Sequence, residues 1–188
     1  MRIIVGISGA SGAVYGLRLL ERLHNHNDVE SHLILTTSAQ KTLYLETGKL
    51  ASDAENLADF SYPLGNISSR LASGSFPIDA MVVAPCSIHT MSAIAYGISS
   101  NLLIRAADVT LKEKRKLVLM VRETPFHLGH LRTMTALAEM GAIIAPPIPG
   151  FYHKPQSVMD IVDHSVDRIL DLIGVPDAQI RRWNGETQ

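Results

Sequence analysis

The sequence predicts a single-domain α/β fold with a mostly parallel sheet flanked by helices. Three observations carry that prediction. Short, largely β-branched runs recur along the chain and are apolar throughout, as strands covered on both faces must be. Segments of helical spacing separate these runs, supplying the crossovers that parallel strands need. The 188 residues fit one domain and contain no internal repeat, low-complexity stretch or linker that would divide them.

The first strand is Ile3-Ile4-Val5-Gly6-Ile7, and a helix follows from Ser11 to Leu23 with Val14, Leu17, Leu20 and Leu23 along one side. His32-Leu33-Ile34-Leu35 is the second strand, with a helix from Ala39 to Glu46. Ala80 to Ala84 is the third, stopped by Pro85, and a helix of small residues runs on through Ala95. Lys116 to Val121 is the fourth, and a helix from about Phe126 to Met140 ends at Gly141, a common C-terminal stop. Ala142-Ile143-Ile144 is the fifth. The last helix starts after Pro155, with a core stripe of Val158, Ile161, Val162, Ser165, Ile169 and Leu172. Leu50 to Gly74 is rich in Ser, Asp and Asn and resists assignment.

Composition removes several function classes. Hydrophobic residues make up 46% and charged ones 19%, which suits a well-buried core and also a protein that hides surface between subunits. The net charge of -1 provides no basic field for a nucleic-acid backbone. The single cysteine, Cys86, supports neither a disulfide framework nor a zinc cluster, so no metal is expected. The N-terminus is too short and too soon broken by Gly6 for a secretory signal, and no apolar run approaches a membrane span. A soluble, cytoplasmic protein is expected.

The turn after strand one is Gly6-Ile7-Ser8-Gly9-Ala10-Ser11-Gly12. Its glycines permit close approach to a ligand, and the helix behind it offers N–H groups and a positive dipole end to an anion. It departs from the dinucleotide pattern, because position 8 is Ser and strand two ends in Thr36-Thr37-Ser38 without a carboxylate for a ribose. Hydroxyls beside a glycine turn favour a mononucleotide such as FMN over NAD. A plain tight turn is the competing reading.

Strand three runs into Pro85-Cys86-Ser87-Ile88-His89-Thr90, at the carboxyl end where open α/β sheets bind ligands. Ser87 and Thr90 stand where a helix cap is expected, and capping competes with ligand contact for them. Cys86 reads as a small core residue, and His89 as a solvated helix residue. Arg122 and Glu123 follow an apolar strand at its carboxyl end, where Arg can grip a phosphate and Glu can move a proton.

Five segments together resemble the UbiX/Pad-type flavin prenyltransferases, formerly described as 3-octaprenyl-4-hydroxybenzoate or phenylacrylic acid decarboxylases. They are Gly6 to Gly12, Pro85-Cys86-Ser87, Arg105-Ala106-Ala107-Asp108 with Leu111-Lys112-Glu113, Arg122-Glu123-Thr124-Pro125, and Phe151-Tyr152-His153-Lys154-Pro155. They run in order from Met1 to about Trp183. The resemblance implies a Rossmann-like flavoprotein, one domain over residues 1–188 with a C-terminal tail from about 175, assembled as a dodecamer of trimers. It implies that reduced FMN is the bound substrate, that dimethylallyl phosphate alkylates it at N5 and C6, and that no metal takes part. The prenylated FMN would pass to a partner decarboxylase of the UbiD type.

The same resemblance implies roles for single residues. Gly9, Ala10 and Ser11 would contact FMN, with Ser11 near N5, and Thr36 would keep the hydroxyl of a family Ser. Ser87, Ile88, His89 and Thr90 would hold the flavin phosphate or ribityl chain, and Arg105 would lie against the flavin. Glu46, Lys112, Arg122, Glu123, Tyr152 and Arg168 would form the pocket for the allylic phosphate, some of them from neighbouring subunits. Ser11, Glu46, Glu123 and Trp183 would serve catalysis, with Trp183 shielding a cationic prenyl fragment. Plain alternatives stand beside these: packing for Tyr152, an exposed helix position for Arg168, a hydrophobic anchor for Trp183. Two other functions compete, an FMN-dependent cysteine decarboxylase and a flavin carrier without catalysis.

Overall fold

In the computed structural model, residues 1–175 and 185 are described. Six strands form one sheet: β1 (Arg2–Ile7), β2 (Glu30–Leu35), β3 (Phe60–Tyr62), β4 (Ala80–Cys86), β5 (Lys116–Val121) and β6 (Ile143–Ile144). Their spatial order is β3-β2-β1-β4-β5-β6, and every pair is parallel. The helices are α1 (Ala13–His24), α2 (Thr37–Thr47), α3 (Ala51–Glu55), α4 (Ile88–Ala95), α5 (Leu102–Lys112), α6 (Leu128–Glu139) and α7 (Val158–Ile173), with a 3-10 turn at Arg70–Ala72. The expected tail from about 175, with Trp183, lies outside the described residues apart from Val175 and Gly185. Among the described residues, no helix is long and apolar enough to cross a membrane.

The apolar runs explain the layering. β4 is buried at all seven of its residues and β1 at five of its six. Alternate side chains of these strands feed two cores. Ile3, Val5, Ile7, Val82 and Ala84 pack with α1, α2 and α7 on one face. Ile4, Met81, Val83 and Cys86 pack with α4, α5 and α6 on the other. Chain order reverses between β1 and β4, which opens a crevice at their carboxyl ends.

Several expectations need correction. The sheet has a sixth strand, β3, whose three exposed or half-buried residues carry no apolar run to betray it. β4 does not stop at Pro85 but continues through Cys86, with a shift of register after Val83 that takes the proline out of the regular ladder. The segment after Asn101, to which the sequence assigns no element, is a helix, capped by the Asn101 side chain accepting from the Ile104 N–H at 3.1 Å. α1 begins at Ala13 rather than Ser11, because Gly12 adopts a left-handed φ of 98°. α6 begins at Leu128, after His127 caps it through Nδ1. In α7 the stripe is Val162, Ser165, Val166, Ile169, Leu170 and Ile173, and Val158 points outward with 76% exposure.

Candidate active site

The carboxyl ends of β1, β2, β4 and β5 bring four loops together. Ser8 braces two of them from a buried position. Its hydroxyl donates to the Pro85 carbonyl at 2.9 Å and accepts from the Ser87 N–H at 2.8 Å. The residue that breaks the dinucleotide pattern is thus a cross-brace that sets the turn before α4. Ser8→Ala leaves the Ser87 N–H without its acceptor in a half-buried place, which should cost about 1–3 kcal/mol. A urea melt checks the stability.

Gly9 meets the third loop. A Cβ there would lie 2.2 Å from Ser38 Oγ and 2.4 Å from Ser38 Cβ, so only glycine lets the β1 and β2 turns touch. Thr36 stands beside this contact and caps α2, accepting from the Ala39 N–H at 3.0 Å. Its hydroxyl also pairs with Ser38 at 3.1 Å. Ser38, named in the sequence only as one of three hydroxyls, is the residue that packs against the Gly9 turn. Its signal was its place in a run of three hydroxyl residues at a strand end.

The anion at the N-terminus of α1 is internal. Glu46, from the last turn of α2, accepts from the Gly12 N–H at 2.9 Å through Oε2 and from the Ala13 N–H at 2.9 Å. The first turn therefore does not present a vacant phosphate cradle, as its glycines suggested, because a carboxylate of the same chain fills the helix end. Burial works against the ionised form of Glu46. Hydrogen bonds from the Ser11 hydroxyl, Ala13 N–H and Gly12 N–H, with the nearby Arg122 charge, outweigh it and hold the carboxyl below its ordinary range. Burial likewise raises the Tyr15 phenol, and Arg122 lowers it. Ser11, Glu46, Tyr15 and Arg122 thus share one electrostatic neighbourhood.

The fourth loop offers an anion site that no carboxylate fills among the described contacts. Ser87 caps α4 by accepting from the Thr90 N–H at 3.2 Å, and it donates to Thr90 Oγ1 at 3.1 Å. The N–H groups of Ile88 and His89 have no acceptor within the helix, by the geometry of a helix start. Two amide donors at a positive dipole end, beside the Ser87–Thr90 hydroxyl pair, fit a phosphate monoester. Capping and ligand contact are therefore compatible at Ser87. His89 is exposed, and burial pushes the Cys86 thiol well up, leaving a neutral core residue.

Arg122 extends the β5 ladder, its N–H donating to the Cys86 carbonyl at 3.0 Å. Glu123 follows it, exposed, and accepts from the Thr124 N–H at 2.9 Å. Arg105 lies in the first turn of α5. Its Nε donates to the Ala72 carbonyl at 3.3 Å and its NH1 to Asp108 at 2.6 Å.

One chain does not gather the other expected phosphate ligands. Lys112 ends α5 near the amino edge of the sheet, paired with Glu113 beside Gly74. Tyr152 and Arg168 belong with α7 on the opposite face, where Tyr152 hydrogen-bonds His164 at 2.7 Å and Arg168 donates to Asp171 at 2.5 Å. The sheet itself stands between Lys112 and Arg168. Large apolar side chains near these residues are open to solvent, among them Tyr96 at 73% and Phe151 at 70% exposure. Among the described residues there is no group of three or more His, Cys, Asp or Glu placed to hold a metal ion.

Known proteins supply the wider setting. The family described as Flavoprotein matches residues 1–170. The flavin prenyltransferase UbiX of Escherichia coli strain K12 is 51% identical over 186 residues, covering 98% of each chain. A dodecameric FMN-dependent UbiX-like decarboxylase from Escherichia coli O157:H7 superposes with a TM-score of 0.96 at 46% identity, over 98% of this chain and all of that one. The structure of AnUbiX (PadA1) in complex with FMN and dimethylallyl pyrophosphate also gives 0.96, at 42% identity over 99% of this chain and 98% of that one.

Proposed function

The chain belongs to the UbiX-type flavin prenyltransferases, within the flavoprotein family, and from that premise we propose how it joins a dimethylallyl group from dimethylallyl phosphate to N5 and C6 of reduced FMN. The observation that carries the reading is the Ser11–Glu46–Arg122 neighbourhood beside the close approach at Gly9. When bound, reduced FMN supplies a nucleophilic N5 and the adjacent C6. The protein's own groups do the rest.

Ser87, Thr90 and the N–H groups of Ile88 and His89 hold the flavin phosphate at the start of α4, with Thr36 and Arg105 on the flanks. Gly9 and Ala10 let the ring approach the backbone. Ser11 donates its hydroxyl hydrogen bond to the ionised Glu46 carboxylate, so its oxygen lone pairs face the flavin to accept from the N5–H and orient it. Breaking the allylic C–O bond leaves negative charge on phosphate. Arg122, Lys112 and Arg168 offer positive charge where that charge develops, and the Tyr152 hydroxyl adds a hydrogen bond that holds the phosphate alike in ground and transition state. As the new ring closes, the alkene carbon of the prenyl unit takes up one proton while N5 and C6 each give one up; Glu123 relays these protons, and the one left over departs on the phosphate. Trp183 and the flavin face shield the cationic prenyl fragment.

Because Lys112 and Arg168 lie on opposite faces of one protomer, the complete phosphate site needs more than one copy of the chain. The exposed apolar side chains near Lys112 and Tyr152 support such an assembly, and we take it to be a dodecamer like that of the UbiX-like decarboxylase from Escherichia coli O157:H7. The enzyme works in the cytoplasm, on the reduced flavin and without a metal. Its product then serves a decarboxylase of the UbiD type.

Mass spectrometry of flavin released after anaerobic incubation with reduced FMN and dimethylallyl phosphate tests this. A flavin heavier by one five-carbon prenyl unit is expected. Unmodified FMN from folded, flavin-loaded protein would overturn the reading.

A further inference from the structure

The Tyr152 hydroxyl has a partner that the reaction as described does not use. His164, in the second turn of α7, lies with its Nε2 2.7 Å from Tyr152 Oη. The imidazole of His153 stacks on that of His164, with centroids 4.2 Å apart and planes 11° from parallel. The Tyr152 ring stands edge-on to both, at 5.5 Å and 5.4 Å. Both ring nitrogens of His153 are buried without a hydrogen-bond partner, so that ring serves packing. Gly150 completes the cluster, since a Cβ there would reach Tyr152 and His164 within 3.2 and 3.3 Å. Arg168 follows His164 by four residues, and residues four apart share a face of a helix. One strip of α7 thus carries the partner of Tyr152 and the guanidinium of Arg168.

We propose that His164 is a positioning residue for the allylic phosphate: it holds the Tyr152 hydroxyl in register with Arg168, so that both present donors to the same phosphate. This rests on the reading of Tyr152 and Arg168 as phosphate ligands. A phenol on an exposed loop rotates and moves with that loop. A hydrogen bond from a helix anchors the oxygen, and an Nε2–H donated to Oη leaves the phenolic hydrogen for the phosphate. Burial disfavours the charged imidazole, as does the neighbouring His153, while Asp167 favours it. The neutral ring with its proton on Nε2 is the form that makes this arrangement.

The test uses steady-state prenylation by the FMN-loaded protein. His164→Phe keeps a ring to stack on His153 but has no polar atom for Tyr152. It should raise KM for dimethylallyl phosphate about fivefold, as one lost hydrogen bond would, with kcat changed less than twofold and FMN affinity unchanged. His164→Gln keeps a donor and should restore KM to within about twofold of the parent. In a Tyr152→Phe background, His164→Phe should add nothing further. If Tyr152→Phe raises KM but His164→Phe in the parent does not, the positioning role is overturned while the phosphate reading of Tyr152 stands. If Tyr152→Phe itself leaves KM unchanged, the phosphate reading falls, and the inference with it. Should His164→Phe fail to fold, competitive inhibition by inorganic phosphate in the Gln and Asn variants decides. Weaker inhibition with Asn, too short to reach Oη, supports the role, and equal inhibition in both overturns it.

Discussion

Glu46→Gln should slow flavin prenylation about a hundredfold while leaving the protein folded and flavin-loaded, because it removes a charge that orients a reacting group. Glutamine keeps an oxygen for the Gly12 and Ala13 N–H groups, so α1 keeps its cap. It loses the ionised acceptor of the Ser11 hydroxyl hydrogen bond, and the partner of the Arg122 charge. Ser11 can then turn its hydrogen toward the flavin and repel the N5–H it should accept. Single-turnover rates with reduced FMN and dimethylallyl phosphate would read this directly. A rate within twofold of the parent would reduce Glu46 to a helix cap.

The same substitution has a pH signature in stability. The folded carboxyl titrates below its ordinary value of 4.5, so ionised Glu46 stabilises the native state above that pH. This contribution is lost as pH falls through the lower, folded value. The parent should therefore melt above the Gln variant at neutral pH, by roughly 0.5 kcal/mol of charge–dipole interaction, and the difference should vanish in acid. A difference that persists under acid would point to packing instead of charge.

Gly16→Ala should be the most damaging small substitution, costing about 3 kcal/mol and lowering the melting temperature by roughly 10 °C. A Cβ at Gly16 would lie 2.3 Å from the Ala84 carbonyl oxygen and 2.7 Å from Ile7 Cδ1. The carbonyl belongs to β4, which is buried along its whole length, so the helix must move rather than the strand. Lifting α1 would also draw Gly12 and Ala13 from Glu46 and disturb the turn that holds Ser11. Loss of flavin binding should accompany the fall in stability. A variant that melts within 2 °C of the parent would mean that α1 does not pack this closely on the sheet.

The repeating unit of apolar strand and amphipathic helix is a local property, and it was legible. β1, β4 and β5 bury side chains on both faces, so nothing but apolar residues serves there, and the pattern stands out. β3 stayed hidden for the converse reason. Its place is set by pairing with His32–Ile34, and Phe60, Ser61 and Tyr62 need no apolar run to make backbone hydrogen bonds. The carboxyl-end motifs around Ser11, Ser87 and Arg122 were legible because backbone turns and helix caps demand particular residue types.

Other features depend on contacts between residues far apart in the chain. Ser8 reads as a failed glycine until the fold sets it between Pro85 and Ser87. His164 reads as an ordinary helix residue until the loop after β6 lays Tyr152 on it. The filling of the α1 terminus by Glu46 spans 34 residues. The sequence by itself determined the α/β class, the family and the types of residue at the sheet's carboxyl edge, since these follow from local periodicity and motif. Only the tertiary structure decided that a carboxylate occupies the first helix end, and that Lys112 and Arg168 fall on opposite faces of the sheet. Both follow from how the helices pack on the strands, and packing direction is not written in local sequence.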